Sequence, residues 1–246
     1  MELSRIREAI ENVRAGGEPA VEFIRRAEAR GERPGVFASS FNPLTLAHVE
    51  LMRRASIAFS LDETLALAGI ANADKEGYDA LLEDRLRMLD LAFENAPRTS
   101  VCLSSHAYFV DVLDALLRIY PEKTDLHFIV GFDTFERVLD REDKYTRRYH
   151  KEFGGREQAL DHLLAHSRLI VAGRKGAGEA EVRALLAEEP RRFAGRILYL
   201  DFPAHLAERS ATEVRALTRD GAAVDGLVPS AVAEYIKERG LYKKLC

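Results

Sequence analysis

The chain has 246 residues, of which 47% are hydrophobic and 31% charged, and its formal net charge is −4. This length allows one large α/β domain or a domain with an extension, and the composition is that of an ordinary globular protein. The small negative charge excludes a broad attraction to nucleic acid or to an anionic membrane, so any phosphate binding has to be local.

The cysteines and the hydropathy pattern indicate a reducing compartment. Cys102 lies in an apolar run and Cys246 is the last residue, so a structural disulfide is not expected. No apolar stretch approaches the ~20 residues of a membrane span, and the charged N-terminus does not resemble a signal peptide. We therefore expect a cytoplasmic protein without a membrane or nucleic-acid partner.

Two helices are predicted before the first strand. Residues 3 to 14 carry apolar side chains at helical spacing, a Gly-Gly pair interrupts the pattern, and residues 19 to 30 repeat it. We expect residues 1–33 to form an N-terminal helical extension that packs on a domain of residues 34–246. A dimer contact through these helices is the alternative.

The first predicted strand, residues 35 to 38, leads into a polar turn that ends at His48, where a helical pattern begins. In a parallel sheet such a turn lies at the carboxyl end of a strand, where the N–H groups of the new helix attract an anion. Thr45 and His48 are three residues apart, so we expect both side chains to face the same bound group. An ordinary turn followed by a first-turn histidine is the alternative.

Further apolar runs alternate with helical patterns along the rest of the chain. They predict strands at residues 63–69, 100–104, 126–130, 168–172 and 196–200. This alternation is typical of an α/β fold with a Rossmann-like doubly wound parallel sheet. With residues 35–38 as strand 1, we expect the order 3-2-1-4-5 plus a sixth strand. Strands 1 and 4 are then neighbours, and a ligand crevice opens between their carboxyl ends.

One later turn is expected to reach that crevice, and a second later segment offers groups that suit a phosphate. Gly131 and Asp133 follow the fourth strand, although Asp133 could equally be a helix N-cap. Ser210 begins another predicted helix with capping-box spacing, and Arg215 follows one turn later. A capped helix start offers N–H groups to phosphate oxygens, and an arginine one turn on can reach the same oxygens.

The stretch SSFNPLTLAH, which ends at His48, resembles the signature G-[ST]-F-[ND]-P-x-[HT]-x-x-H of the nucleotidylyltransferase superfamily. Within the superfamily the chain is most similar to the nicotinamide/nicotinate mononucleotide adenylyltransferases. Gly131-Phe-Asp matches their G-x-D segment, the stretch RSATEVR resembles their I-S-S-T-x-x-R, and the ending in Gly-Leu-Tyr is also similar. The resemblance covers residues 34–242, with departures at Ser39, Arg209 and Ala211.

The resemblance implies that AMP is transferred from ATP to the phosphate of a mononucleotide by direct in-line attack, with release of pyrophosphate. The catalytic residues implied are His48, Thr45 and Arg215. The ATP-binding residues implied are Ser39, Ser40, Phe41, Asn42, Lys75, Gly131, Asp133, Arg174, Ser210, Thr212 and Arg215. Mg²⁺ would enter as the ATP complex, so no dedicated set of protein ligands is expected.

The acceptor site is the least defined part of this prediction. The resembled enzymes commonly stack the pyridine ring on a tryptophan, and this chain contains none. Phe132, Phe135 and Tyr145 are the aromatic substitutes we consider. No residue can be assigned to distinguish nicotinamide from nicotinate mononucleotide. A related transferase with CTP or another phosphorylated acceptor, and a non-catalytic nucleotide-binding regulator, stay as alternatives; a homo-oligomer is compatible with the sequence.

Overall fold

A mostly parallel β-sheet forms the centre of the computed structural model, which describes residues 2–28, 30–70, 79–142, 144, 152–173, 177–207 and 209–243. The strands are β1 (Val21–Arg25), β2 (Pro34–Ala38), β3 (Glu63–Gly69), β4 (Thr99–Ser104), β5 (Leu126–Gly131), β6 (Ser167–Ala172) and β7 (Ile197–Leu200). The helices are α1 (Leu3–Ala15), α2 (Leu46–Ala58), α3 (Leu82–Ala92), α4 (Phe109–Leu117), α5 (Phe132–Leu139), α6 (Arg156–His166), α7 (Glu179–Ala187), α8 (Arg191–Ala194), α9 (Ala204–Ala207), α10 (Ala211–Arg219) and α11 (Ser230–Arg239).

The strand order is β1-β4-β3-β2-β5-β6-β7, and every pair is parallel except β1 with β4. Since the six predicted strands correspond to β2 through β7, the predicted order 3-2-1-4-5 with a sixth strand is confirmed. β2 lies between β3 and β5, with Val36 opposite both Leu65 and Phe128. The turns that follow β2 and β5 therefore lie side by side at the switch point of a doubly wound sheet.

Helices cover both faces of the sheet, which is why its strands appear in the sequence as continuous apolar runs. Successive residues of β5 point to opposite faces: Phe128 packs in the cluster that contains the leucines of α4 and α6, whereas Ile129 packs in the cluster that contains Leu51 of α2. A third cluster joins Met88 of α3 to α10 and α11. In the part of the chain that the structure describes, no helix combines the length and the apolar character needed to cross a membrane.

The N-terminal segment differs from the prediction of two helices. α1 forms as expected and buries Ile6 and Ile10, but the predicted helix at residues 19–30 is wrong, because this segment contains the strand β1. β1 runs antiparallel to β4, with Val21 opposite Ser104. Without β1, the N–H and C=O groups along the outer edge of β4 would have no hydrogen-bond partners in the sheet. A strand at this edge supplies those partners, whereas a helix at residues 19–30 would not. The extension is therefore a helix and an edge strand.

Candidate active site

A cavity of about 400 Å³ opens at the carboxyl ends of the parallel strands. Its floor includes residues from the ends of five adjacent strands: Ala38, Gly69, Ser104, Gly131 and Ala172. The two turns that were predicted to meet, after β2 and after β5, both line it. This is the crevice at the switch point of an open α/β sheet, where ligands bind in such folds.

The structure divides the predicted site residues, apart from Phe132 and Phe135, into three groups. Those that line the cavity are Ser39, Ser40, His48, Gly131, Asp133, Ser210, Thr212 and Arg215. Phe41, Asn42 and Thr45 do not line it and are buried within the turn after β2. Lys75, Arg174 and Tyr145 lie outside the described residues.

The helix cap at Thr45 fixes the ring of His48. The Thr45 N–H donates to His48 Nδ1 at 3.0 Å, and the Thr45 hydroxyl accepts from the His48 N–H at 3.4 Å. Because a backbone N–H can only donate, Nδ1 must accept, and the neutral ring carries its proton on Nε2. Phe37 and Phe41 pack around the ring, with centroids 5.7 and 5.5 Å away. Thr45 was expected to face the bound group, but it is 1% exposed and orients His48 instead.

Side chains from distant parts of the chain hold the turn after β2. Arg85 of α3 donates from Nη1 to the Ser40 carbonyl at 2.7 Å, and Arg215 of α10 donates from Nη1 to the Asn42 carbonyl at 2.7 Å. The Tyr242 hydroxyl donates to Asn42 Oδ1 at 3.0 Å, in a bond buried from solvent. Burial raises the pKa of Tyr242, so its phenol stays a donor. The turn is therefore fixed from α3, from α10 and from the segment after α11.

The start of α10 presents a capped helix N-terminus and a cation to the cavity. The Ser210 hydroxyl accepts from the Glu213 N–H at 3.2 Å. Arg215 pairs with Asp79 through a contact of 2.9 Å from Nε to Oδ2, and it donates from Nη2 to Thr212 Oγ1 at 3.2 Å. These contacts hold the guanidinium beside the N–H groups of the first turn, where an anion would be bound.

Neither described residue of the predicted acceptor platform lines the cavity. Phe135 is 0% exposed in the core beneath α4 and α6, and Phe132 packs against the same cluster. The helical period explains this correction, because Asp133 and Arg137 face the cavity from α5 while Phe135 points away from them. Burial therefore contradicts the prediction that Phe135 serves as a ring platform, whereas Phe132, which is partly buried and outside the lining of this cavity, stays a prediction.

The turn between β4 and α4 supplies aromatic and polar side chains that sequence reasoning missed. His106, Tyr108 and Phe109 line the cavity, and Phe109 is braced edge-on against Phe128 with centroids 5.2 Å apart. The sequence does contain a pattern that predicts this part of the site. Ser104-Ser-His is a polar turn after a buried strand, like the turn that precedes His48. The motifs that carry the family resemblance lie in the other turns.

The charged residues that line the cavity are mostly cationic. Arg137, Arg156, Arg209 and Arg215 line it, and Asp133 is the carboxylate among the described lining residues. Within the described ranges, no group of three or more His, Cys, Asp or Glu side chains is arranged to hold a metal ion. The lining suits a ligand with several negative charges.

No protein-family model matches the chain. A curated probable nicotinate-nucleotide adenylyltransferase of Dehalococcoides mccartyi is 31% identical over 218 residues, covering 85% of this chain and 97% of the relative. The corresponding protein of Gemmatimonas aurantiaca is 28% identical over 217 residues, covering 86% and 93%. The solved structure of Plasmodium falciparum nicotinic acid mononucleotide adenylyltransferase complexed with NaAD has a TM-score of 0.63 at 15% identity, covering 85% of this chain and 97% of that one. This structural likeness shows the shared fold.

A doubly wound, mostly parallel sheet with helix starts at its switch point is the Rossmann-like fold of the nucleotidyltransferases. The D. mccartyi protein is 31% identical to this chain in an alignment that covers 97% of the relative. The chain belongs to the nicotinate-nucleotide adenylyltransferase family, and it is an adenylyltransferase of NAD biosynthesis.

Proposed function

We propose that the protein transfers the AMP moiety of ATP to the phosphate of nicotinate mononucleotide, forming the dinucleotide NaAD and pyrophosphate. The observation that carries the proposal is the placement of His48, Asp133 and Arg215 around one cavity in a chain whose curated relatives are named for this acceptor.

The two substrates would lie on opposite sides of the turn after β2. On the β5 side, Asp133 would accept hydrogen bonds from the ATP ribose, and Gly131 would let the nucleotide approach the backbone. A Cβ added at Gly131 would meet no atom within 4 Å, and its φ of −78° is ordinary, so the fold itself does not require glycine. On the β3 and β4 side, the turn that carries His106, Tyr108 and Phe109 would receive the acceptor.

The chemistry needs alignment and charge neutralisation more than a base. An oxygen of the acceptor phosphate attacks the α-phosphorus of ATP, the new P–O bond forms in line with the one that breaks, and pyrophosphate leaves with the electron pair. A phosphate monoester is already anionic near neutral pH, so no proton has to be removed first. His48 Nε2–H would donate to the α-phosphate, and the start of α10 with Arg215 would hold the β- and γ-phosphates. Mg²⁺ would arrive as part of the substrate MgATP.

Pyrophosphate release with MgATP tests this function, with nicotinate mononucleotide, nicotinamide mononucleotide or no acceptor in parallel. We expect kcat/KM for nicotinate mononucleotide to exceed that for nicotinamide mononucleotide by about tenfold or more, since the two differ by one charged hydrogen-bonding group. Equal values, or a preference for nicotinamide, would overturn the acceptor assignment. Replacing ATP by CTP should abolish release; efficient use of CTP would contradict adenylyl transfer.

A further inference from the structure

His106 is held rigidly at the end of β4 by two neighbouring serines. The Ser104 hydroxyl donates to the His106 carbonyl at 2.8 Å and accepts from the His106 N–H at 3.3 Å. Ser105 Oγ lies 2.7 Å from His106 Nδ1. The ring is half-buried and lines the cavity. Its Nδ1 side is thus engaged by protein, which leaves Nε2 as the ring nitrogen available to a ligand.

The N-terminal segment fixes Ser105 in turn. The Ser105 N–H donates to the Ala20 carbonyl at 3.0 Å, and the Ala20 N–H donates to Ser105 Oγ at 2.8 Å. The Ser105 hydroxyl proton faces His106 Nδ1 at 2.7 Å and the Ala20 carbonyl at 3.3 Å, and the shorter contact makes Nδ1 the better-placed acceptor. In the tautomer that accepts this bond at Nδ1, the neutral His106 ring carries its proton on Nε2 and is a donor toward the cavity.

The position of His106 relative to His48 suits the far end of a mononucleotide. β4 lies two strands from β2, and neighbouring strands are about 4.8 Å apart, so the two turns are separated by about 10 Å. A nucleoside monophosphate with its phosphate at the turn after β2 would bring its base to the turn after β4. Tyr108 and Phe109, next to His106, provide aromatic surface for that base.

We propose that His106 is a specificity-determining residue that donates from Nε2 to the carboxylate of the nicotinate ring, and that Ser105, held by Ala20, is its positioning residue. The inference rests on the proposed function. A carboxylate accepts a stronger hydrogen bond than a carboxamide oxygen, so the contact favours nicotinate over nicotinamide. It also gives residues 19–21, outside the stretch that resembles the family, a role in acceptor recognition.

Steady-state kinetics with both acceptors test the assignment in His106→Leu, His106→Gln and Ser105→Ala, with His166→Gln as the matched control. His166 is exposed and does not line the cavity. We expect His106→Leu to raise KM for nicotinate mononucleotide about tenfold to a hundredfold, with kcat, KM for ATP and KM for nicotinamide mononucleotide changed less than about threefold. Glutamine retains an N–H donor and should recover most of the loss. Ser105→Ala should give an intermediate KM.

Calorimetric titration of each variant with nicotinate mononucleotide alone gives a readout without turnover, and thermal unfolding checks that the variant is folded. If His106→Leu does not fold, the KM for nicotinate mononucleotide is compared between the two remaining variants, His106→Gln and Ser105→Ala, and the control His166→Gln. This comparison still tests the role of His106. A wild-type enzyme that prefers nicotinamide mononucleotide overturns the proposed function and this inference with it. A wild-type preference for nicotinate that survives unchanged in His106→Leu, or an equal rise of KM for both acceptors without rescue by glutamine, overturns the inference alone.

Discussion

Replacing Tyr242 by phenylalanine tests whether the segment after α11 takes part in the chemistry by holding the turn after β2. Tyr242 is 5% exposed, and its hydroxyl donates to Asn42 Oδ1 at 3.0 Å. The Tyr242→Phe change removes one oxygen and leaves the ring in place. The side-chain oxygen of Asn42, a residue 5% exposed, then loses its donor inside the protein.

The size of the effect follows from that buried acceptor. An unsatisfied buried polar group costs about 1–3 kcal/mol, and each kcal/mol lowers Tm by about 2–4 °C for a chain of this size. Asn42 also takes the hydrogen bond from Arg215 through its carbonyl, so a shift of the turn moves a cavity arginine and the backbone before His48 together. Misplacement of reacting groups by about 1 Å can cost 10²-fold, so we expect kcat to fall by about tenfold.

Tyr235→Phe is the matched control for this change. Tyr235 is 8% exposed on α11 and donates to Asp84 Oδ1 at 2.8 Å, and burial raises its pKa to about 12. The Tyr235 hydroxyl bonds to α3 and not to the turn, so losing this hydroxyl should lower Tm by a similar amount and leave kcat closer to the wild-type value than Tyr242→Phe does. Pyrophosphate release and thermal unfolding of both variants decide the question. Equal kcat values in Tyr242→Phe and Tyr235→Phe would refute a positioning role for Tyr242.

The remaining predictions concern other parts of the site and the core. His48→Ala should lower turnover by on the order of 10²-fold or more with an unchanged circular dichroism spectrum, and near-normal turnover would remove His48 from the mechanism. Gly131→Ala should raise KM for ATP about tenfold without lowering Tm, because its methyl group would enter the cavity; a lower Tm with normal KM would mean that the fold requires this glycine. Burial lowers the pKa of His127, so its contribution to stability is complete above about pH 6.5 and is lost as the pH falls toward the folded-state pKa. Urea unfolding at pH 7.5 and 5.5 should therefore show a smaller loss of stability on acidification in His127→Asn than in the wild type, and an equal loss would assign the effect to other groups.

The order of the parallel strands could be predicted from sequence because the inner strands, β2 to β6, are buried on both faces. Runs such as residues 168–172 and 126–130 are mostly apolar, and the topology of doubly wound sheets then leaves few arrangements. The edge strand β1 could not be predicted in this way. Its sequence, Val-Glu-Phe-Ile-Arg, is short and fits helical spacing as well as alternation, and only the open edge of β4 selects the strand. The cytoplasmic location and a homo-oligomer stay predictions.

The positions of the turns that form the site could be predicted from the sequence. Which residues of these turns face the cavity and which support the turn could not. The motif from Ser39 to His48 predicts where phosphate groups would bind, yet it does not distinguish residues that face the cavity from those that support the turn. Thr45 and Phe41 proved to be supports, because a cap and an aromatic packing contact depend on backbone angles that composition does not reveal. Phe41 adopts a φ of 43°, an unusual conformation for a residue with a side chain, and its ring is fully buried.

The supports for both turns come from far along the chain, which explains why local pattern reasoning missed them. Arg85 lies 45 residues from Ser40, Tyr242 lies 200 residues from Asn42, and Ala20 lies 85 residues from Ser105. Each forms a hydrogen bond whose partner is set by the tertiary fold alone. Because these contacts are made by the protein itself, the turns would be ordered before substrate arrives, and little binding energy would go into arranging them. Residues that touch no ligand would then influence the rate through the two turns, and the kinetic test of Tyr242 against Tyr235 bears on this arrangement directly.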